Sequence, residues 1–345
     1  MKDFITLNCF ENFKCTNKNC SDNCCIGWEI DVDDETLKFY KSLEGDFAKK
    51  LEKNIKIGSP GHFIMDKEGR CPFLNKNNLC DIILELGEDK IPYICKNHPR
   101  FYTWLEGRTE MGIGIACEEG ARLLLTEENL YIKGEITSLN ELEEALTLAR
   151  ETAIFIIKNK NIHYFERLLI FNEFAKEIDE LLFFEDIKGI KEKAKLYKGV
   201  NSYIKYEGES GIESLKREDF LKIYKELEPI NKDWEEYLDK LICDLQKLNK
   251  KDGEFNQFLK VNAKRYENLF IYFVFRYFLK SLDDGELIPK ANFIIASVLF
   301  ILLADFTDYI KNGSLQKVAN AVMYSKEVEY SDENINYLYE KLSEF

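Results

Sequence analysis

The sequence lacks a basic excess. Its 48 lysines and arginines are outnumbered by 62 aspartates and glutamates, a formal balance of −14. Binding to a phosphate backbone needs a positive surface that releases counterions, so nucleic acid is not the expected partner. The sequence also lacks an apolar run of membrane-spanning length. The longest, Phe293 to Ala304, is bounded by Lys290 and Asp305 and falls short of the roughly 20 residues a spanning helix requires. It reads as a buried core helix, and no membrane span is expected. The start, MKDFITLNCFENFKC, breaks its apolar residues with Asp3, Asn8, Glu11 and Asn12. That leaves no signal-peptide core and no small-residue cleavage site, so a cytoplasmic protein is expected. No fixed-period repeat is visible. A Gly-rich nucleotide turn is missing too, since Gly112-x-Gly114-x5-Gly120 has the wrong spacing and reads as a strand leading into a helix cap.

What the sequence has is cysteine, unevenly placed. Of ten cysteines, nine (Cys9, Cys15, Cys20, Cys24, Cys25, Cys71, Cys80, Cys95 and Cys117) lie in the first 117 of 345 residues. In a reducing compartment such a density reads as metal binding or redox chemistry before it reads as a disulfide scaffold. Cys15-x4-Cys20-x3-Cys24-Cys25 is followed by Cys71-x8-Cys80-x14-Cys95 and then Cys117. Soft thiolates in three close groups select zinc or an iron-sulfur centre. Knuckle-like spacing occurs only in the first group, which favours iron-sulfur. Cys9 and Cys243 read instead as small apolar packing groups.

Composition of 45% hydrophobic and 32% charged residues supports a large core in one or two domains. A helical stripe runs through Leu37, Tyr40, Leu43, Phe47, Leu51 and Ile55, capped by Asp33 or Asp34. HFIMDKEGRCPFL and the pair FYTWL and EMGIGIA read as short strands, with short helices near 81–86 and 118–125. From Ser138, which with Glu141 forms a capping box, the pattern turns to long helices. Leu139, Leu142, Leu146, Ala149, Ala153, Ile156 and Ile157 make the first apolar face, and similar periodicity marks 163–183, 218–227, 233–248, 256–281, 289–311 and 333–343. The polar stretch 198–217 reads as a loop. The expected fold is mainly α: a small cysteine-rich mixed α/β metal-binding segment (1–125) packed on an all-helical region (126–345), without a Rossmann sheet.

The strings FKCTNKNCSDNCCIGWEIDVD (13–33), RCPFLNKNNLCDIILELGE (70–88), YICKNHPRFY (93–102) and GIACEEGARLLL (114–125) together resemble the flagellin lysine-N-methylase family. ERLLIFNEF (166–174) and YENLFIYFVFRYFL (266–279) are similar to its helical region. The Cys-Cys and Cys-Pro-Phe-Leu pieces also resemble small cysteine-cluster proteins that chelate zinc or iron. The resemblance implies methyl transfer from S-adenosylmethionine to flagellin lysines with a [4Fe-4S] cluster taking part, zinc being the alternative metal. By motif, the cluster candidates are Cys15, Cys20, Cys24, Cys25, Cys71, Cys80, Cys95 and Cys117. A cubane takes four ligands, so either a second metal is present or some thiols line the site. His98 departs from the family pattern, which has an aromatic before Pro99-Arg100.

Methyl transfer needs a neutral lysine amine, whose ordinary pKa is about 10.4. His98, beside Cys95 and Arg100, is the candidate base, although a structural histidine is the preferred reading. Asn268, Tyr272 and Arg276 recur at helical spacing as one polar stripe. With Arg100 they are the candidate contacts to S-adenosylmethionine. A buried guanidinium needs a carboxylate; it is either the cofactor's or, as favoured, an internal acid such as Asp305. Two readings compete with the enzyme: a chelator without turnover, and a zinc-stapled scaffold that docks flagellin or a chaperone.

Overall fold

The computed structural model describes residues 4–16, 19–21, 23–135, 140–199, 217–248 and 251–343. It is 63% helical, and the widest sheet among the described residues has three strands, all antiparallel. No Rossmann-like sheet is present among them, in keeping with the missing glycine-rich turn. The chain forms two compact units, one of residues 13–101 and 113–120, the other of 1–12, 102–112 and 121–345.

In the cysteine unit the Leu37-to-Ile55 stripe is not one helix. It forms helices α1 (Asp34–Lys41) and α2 (Asp46–Lys53), and Ile55 opens a strand. The break falls at Gly45, whose φ of 99° lies in the left-handed region that glycine adopts without penalty. Leu37, Leu43, Phe47 and Leu51 nevertheless join the same core, because the turn preserves the face that periodicity had set. Asp33 caps α1 by accepting from the Thr36 N–H at 2.9 Å, and its other oxygen accepts from the Tyr93 N–H at 2.8 Å. Strand Gly61–Phe63 lies between Asp31–Val32 and Ile55–Lys56. The turn expected at Asp66 to Gly69 is present, the Gly69 N–H donating to the Asp66 carbonyl at 3.0 Å, but the arm after it, through Leu74, makes only isolated bridges to Ile26 and Cys80 instead of a strand. Phe73 is fully buried, meeting Phe63 edge-on at 4.7 Å. Helices α3 (Asp81–Leu86) and α4 (Tyr93–Asn97) follow, and α5 (Glu118–Thr126) begins in this unit.

The second unit is built on long helices: α6 (Glu141–Lys158), α7 (Tyr164–Phe183) and α8 (Ile187–Gly199), then α9 (Arg217–Lys222), α10 (Trp234–Lys247) and α11 (Asp252–Tyr277). The chain closes with α12 (Ser281–Asp284), α13 (Ile288–Asn312), α14 (Ala319–Tyr324) and α15 (Asp332–Leu342). The Ser138 capping box and most of the 198–217 loop lie outside the described residues. The described cap of α6 is Asn140, whose side chain accepts from the N–H groups of Leu142 and Glu143. Helix α8 has no counterpart among the expected helices; its buried face is only Ile190 and Ala194 within a lysine-rich surface, too sparse for a clear period. It packs on α6 and α7, while α11 packs on α13. The aromatic residues interlock edge-on, Phe171 with Phe270 at 4.8 Å and Tyr277 with Phe293 at 4.9 Å.

Helix α13 is long and apolar enough to cross a membrane by length and composition, yet 78% of its most apolar window is buried inside the protein. That is the pattern of a core helix. Hairpin residues 102–112 group with these helices for an electrostatic reason. Glu110 receives two bonds from Arg150, at 2.5 and 2.8 Å. Arg108 reaches Glu143 at 2.5 Å and Thr147 at 2.7 Å, and all four charged side chains are buried. Paired and hydrogen-bonded, these charges offset their desolvation.

Candidate metal centre

Short backbone links bring the cysteine groups together. The Cys71 N–H donates to the Cys25 carbonyl at 2.8 Å, and Ile26 bridges Arg70 antiparallel beside it. Gly27 and Gly69, with φ of 84° and 70°, make that approach possible. A Cβ on Gly69 would lie 3.3 Å from the Gly27 backbone. Leu74 bridges Cys80, which caps α3. Cys95 sits within α4, and Cys25, Cys80 and Cys95 all pack against the core that holds Cys71. The fourth stretch is tied in through Gly114, whose N–H donates to Pro99 at 2.7 Å and whose carbonyl accepts from Cys117.

The electrostatics report the same grouping. Cys24 and Cys25 share a hydrogen bond, which with help from His98 pulls the Cys24 thiol below its ordinary range. That bond raises Cys25, and burial and then the charges of Cys24, Cys71 and Cys95 push it further up. Burial pushes Cys71 up to about 11, with Cys80 adding to the rise. Cys95 is raised by burial and then by Cys71, Cys80 and Cys24. Cys80 is raised mainly by burial, and feels Cys24. Cys117, also raised mainly by burial, feels Cys24 and Cys15. Cys24, Cys25, Cys71, Cys80 and Cys95 thus form one group, with Cys117 and Cys15 at its edge. Cys20 donates to Glu118 at 3.4 Å, and the same carboxylate accepts from the Ser21 N–H and hydroxyl at 2.7 and 2.8 Å. Sequence reading missed Glu118, because an acid at the head of a helix looks like an ordinary first-turn residue.

Among the described residues no three Cys, His, Asp or Glu side chains are drawn in to hold an ion. The donor chemistry still fits a soft cation. Buried sulfurs that raise one another's pKa resist becoming thiolates together, and a bound cation removes that repulsion.

Gly120 sets the approach of α5 to this group. A Cβ there would lie 2.7 Å from the Ile113 side chain and 3.0 Å from the Gly114 carbonyl. Alanine ordinarily gains roughly 0.5–1 kcal/mol over glycine inside a helix, but overpacking costs roughly 1–3 kcal/mol. Gly120→Ala is therefore expected to lower stability, measured as a reduced urea midpoint, and to loosen Cys117.

The candidate cofactor residues of α11 meet internal partners. Asn268 donates to the carbonyls of Leu124 and Glu127, at 2.9 and 2.7 Å. Arg276 pairs with Glu329 at 2.9 Å and donates to the Tyr272 hydroxyl at 2.8 Å. Tyr272 and Tyr277 donate to Glu329 as well. The acid suggested from sequence, Asp305, is instead taken by Arg265 at 2.8 Å, with Asn320 on its other oxygen. Asp305 is not the partner of Arg276; Arg265, one helical stripe away, fills it. Arg100 lies over the Phe13 ring at 5.6 Å and donates to the Lys96 carbonyl.

Comparison with known proteins gives two family matches. The model described as the FliB lysine N-methylase C-terminal domain matches residues 150–345. One described as a proposed zinc- or iron-chelating domain, CxxCxxCC, matches residues 14–115. The flagellar biosynthetic protein FliU of Salmonella muenchen is 27% identical over 143 residues, 37% of this chain and 80% of its own length. The lysine-N-methylase of Salmonella choleraesuis is 26% identical over 144 residues, 38% of this chain. That of Salmonella typhimurium is 26% identical over 143 residues, 37% of this chain. The match spans only 34% of the length of either methylase. No solved structure matches significantly.

Proposed function

This chain belongs to the FliB lysine N-methylase C-terminal domain family, and from that premise we propose that it is a protein-lysine N-methyltransferase that takes methyl groups from S-adenosylmethionine and delivers them to flagellin. The observation that carries the reading is the family match over residues 150–345. The printed names of the Salmonella relatives support lysine as the acceptor.

The metal half of the reading rests on the match over 14–115 and on the thiol group. Cys24, Cys25, Cys71, Cys80 and Cys95 feel one another's charge, and four of the eight candidate thiols would hold a [4Fe-4S] cluster, with zinc the alternative metal. A cluster bound there supplies a positive, redox-capable centre that reduced thiolates stabilise. The thiols left over then line the site or hold a second ion. The chain's own task toward the substrate is to deprive the lysine amine of its proton, by desolvation or by an acceptor within hydrogen-bond reach.

The test is direct. Anaerobically purified protein, incubated with S-adenosylmethionine and flagellin, is expected to add methyl increments to flagellin lysines by mass spectrometry. A brown protein with broad charge-transfer absorption identifies iron-sulfur, and a colourless one zinc. If the metal-loaded protein neither binds S-adenosylmethionine by calorimetry nor methylates flagellin, the enzyme reading falls and a chelator without turnover remains.

A further inference from the structure

Of the chain's three tryptophans, Trp234 is 3% exposed but Trp104 is 74% exposed. Trp104 stacks on Tyr102 with ring centroids 5.9 Å apart and 20° between the planes, and Phe4 meets Tyr102 edge-on at 5.8 Å. The three rings make one aromatic surface on the hairpin of Arg100–Leu105 and Arg108–Ile113. Alternation along a strand puts Tyr102 and Trp104 on the same face. On the returning strand Arg108 and Glu110 turn inward to Glu143 and Arg150. The support is fixed. The Glu106 N–H donates to Glu143 at 2.9 Å, Gly107 completes the turn with a φ of 84°, and Ile5 bonds the backbone of Thr109 and Met111.

Charge narrows what this face can hold. Within 102–112 the charged residues are Glu106, Arg108 and Glu110, and only Glu106 is exposed; the guanidinium is buried and paired. The surface therefore offers ring faces, which carry negative potential, and one carboxylate two residues beyond Trp104. Cations bind such faces, the indole best of all. By contrast, the exposed rings of Phe183 and Phe184 cross at 83° and share no face.

We propose that the Tyr102–Trp104 face is a docking site for a lysine side chain of a protein partner, its apolar stem on the rings and its ammonium attracted by the indole and Glu106. The inference deepens the proposed function and rests on its reading of a lysine-bearing substrate. A lysine held in water on an aromatic face keeps its proton, its ordinary pKa being about 10.4, whereas methyl transfer needs the neutral amine. The docked lysine is thus one that positions the substrate, distinct from the one that accepts the methyl group.

The test titrates full-length protein with a labelled peptide of Gly-Lys-Ser repeats, read by fluorescence anisotropy at low salt. The same peptide with norleucine for lysine is expected to bind more weakly. Trp104→Leu, which keeps apolar area but removes the ring, is expected to bind the lysine peptide about two- to fivefold more weakly, and Glu106→Gln about twofold more weakly. Phe183→Leu, exchanged at an equally exposed ring, is expected to bind as wild type does, and circular dichroism checks that all variants fold. Methylation of flagellin by Trp104→Leu is expected to show a raised KM. Equal affinity of Trp104→Leu and wild type for the lysine peptide, or equal binding of the norleucine peptide by wild type, overturns the inference and leaves the enzyme reading standing. Lysine-peptide binding that depends on Trp104, in a protein that methylates nothing, upholds the docking site and overturns the enzyme reading instead.

Discussion

Exchange of Cys95 for serine is expected to strip the metal. Cys95 lies within α4, and its sulfur is raised first by burial and then by Cys71, Cys80 and Cys24. The neutral thiol is at home in such a group, and it becomes a thiolate there when a bound cation offsets the shared charge. A serine hydroxyl, far less acidic and a harder donor, does not replace a thiolate toward zinc or iron. Metal affinity is expected to fall by more than the roughly 100-fold upper range of an outer-shell loss. Because structural metal binding is worth on the order of 10 kcal/mol of folding free energy, thermal stability should fall with it. Competition with a chromogenic chelator, beside melting curves with and without chelator, reads both effects. Cys243→Ser is the control. Cys243 is exposed on the helical unit and not packed as its sequence reading expected, unlike the buried Cys9, and an exposed exchange should stay within about 0.5 kcal/mol of wild type. Equal metal content in Cys95→Ser and wild type would remove Cys95 from the centre.

Arg276→Ala is expected to damage the helical unit itself. The Glu329 side chain is 0% exposed and that of Arg276 14%, so water would screen little of the charge left behind. Two tyrosine hydroxyls would still donate to Glu329, yet neither carries a positive charge. Breaking a buried pair by removing one partner costs about 3–5 kcal/mol. In a domain of this size that lowers the melting temperature by roughly 10 °C. The double variant Arg276→Met with Glu329→Gln, which removes both charges, should recover much of the loss. These outcomes are read by thermal denaturation, with S-adenosylmethionine affinity measured on the same samples. Lost affinity with unchanged stability would instead assign Arg276 to the cofactor, as its polar stripe with Asn268 and Tyr272 first suggested.

Several elements were legible because their causes are local. The stretch Phe293 to Ala304 lies within α13, where the run of apolar residues had placed a core helix. Helix α3 falls at 81–86, and the hairpin spans Arg100–Leu105 and Arg108–Ile113 around a glycine turn. Helix α8 was not legible, since Ile190 and Ala194 alone are fully buried in a lysine-rich surface where Leu196 is exposed. The two-helix turn at Gly45 was hidden for another reason. A stripe records which residues face a core, and it is preserved when the chain turns between helices without rotating that face.

The sequence by itself determined that helix dominates, that eight thiols are grouped within the first 117 residues, and that an acidic chain carries a methylase-like motif order. Those are properties of neighbouring residues, and a 3.6-residue period or a Cys-Cys pair is complete within one turn. Only the tertiary structure decided which distant groups meet. It set Cys71 beside Cys25 through one backbone bond, gave Glu329 rather than Asp305 to Arg276, and put Glu118 under Ser21. With 62 acidic side chains available, sequence supplies no way to choose among them. The choice falls to the one carboxylate that the packed backbone holds within hydrogen-bond reach as water is excluded.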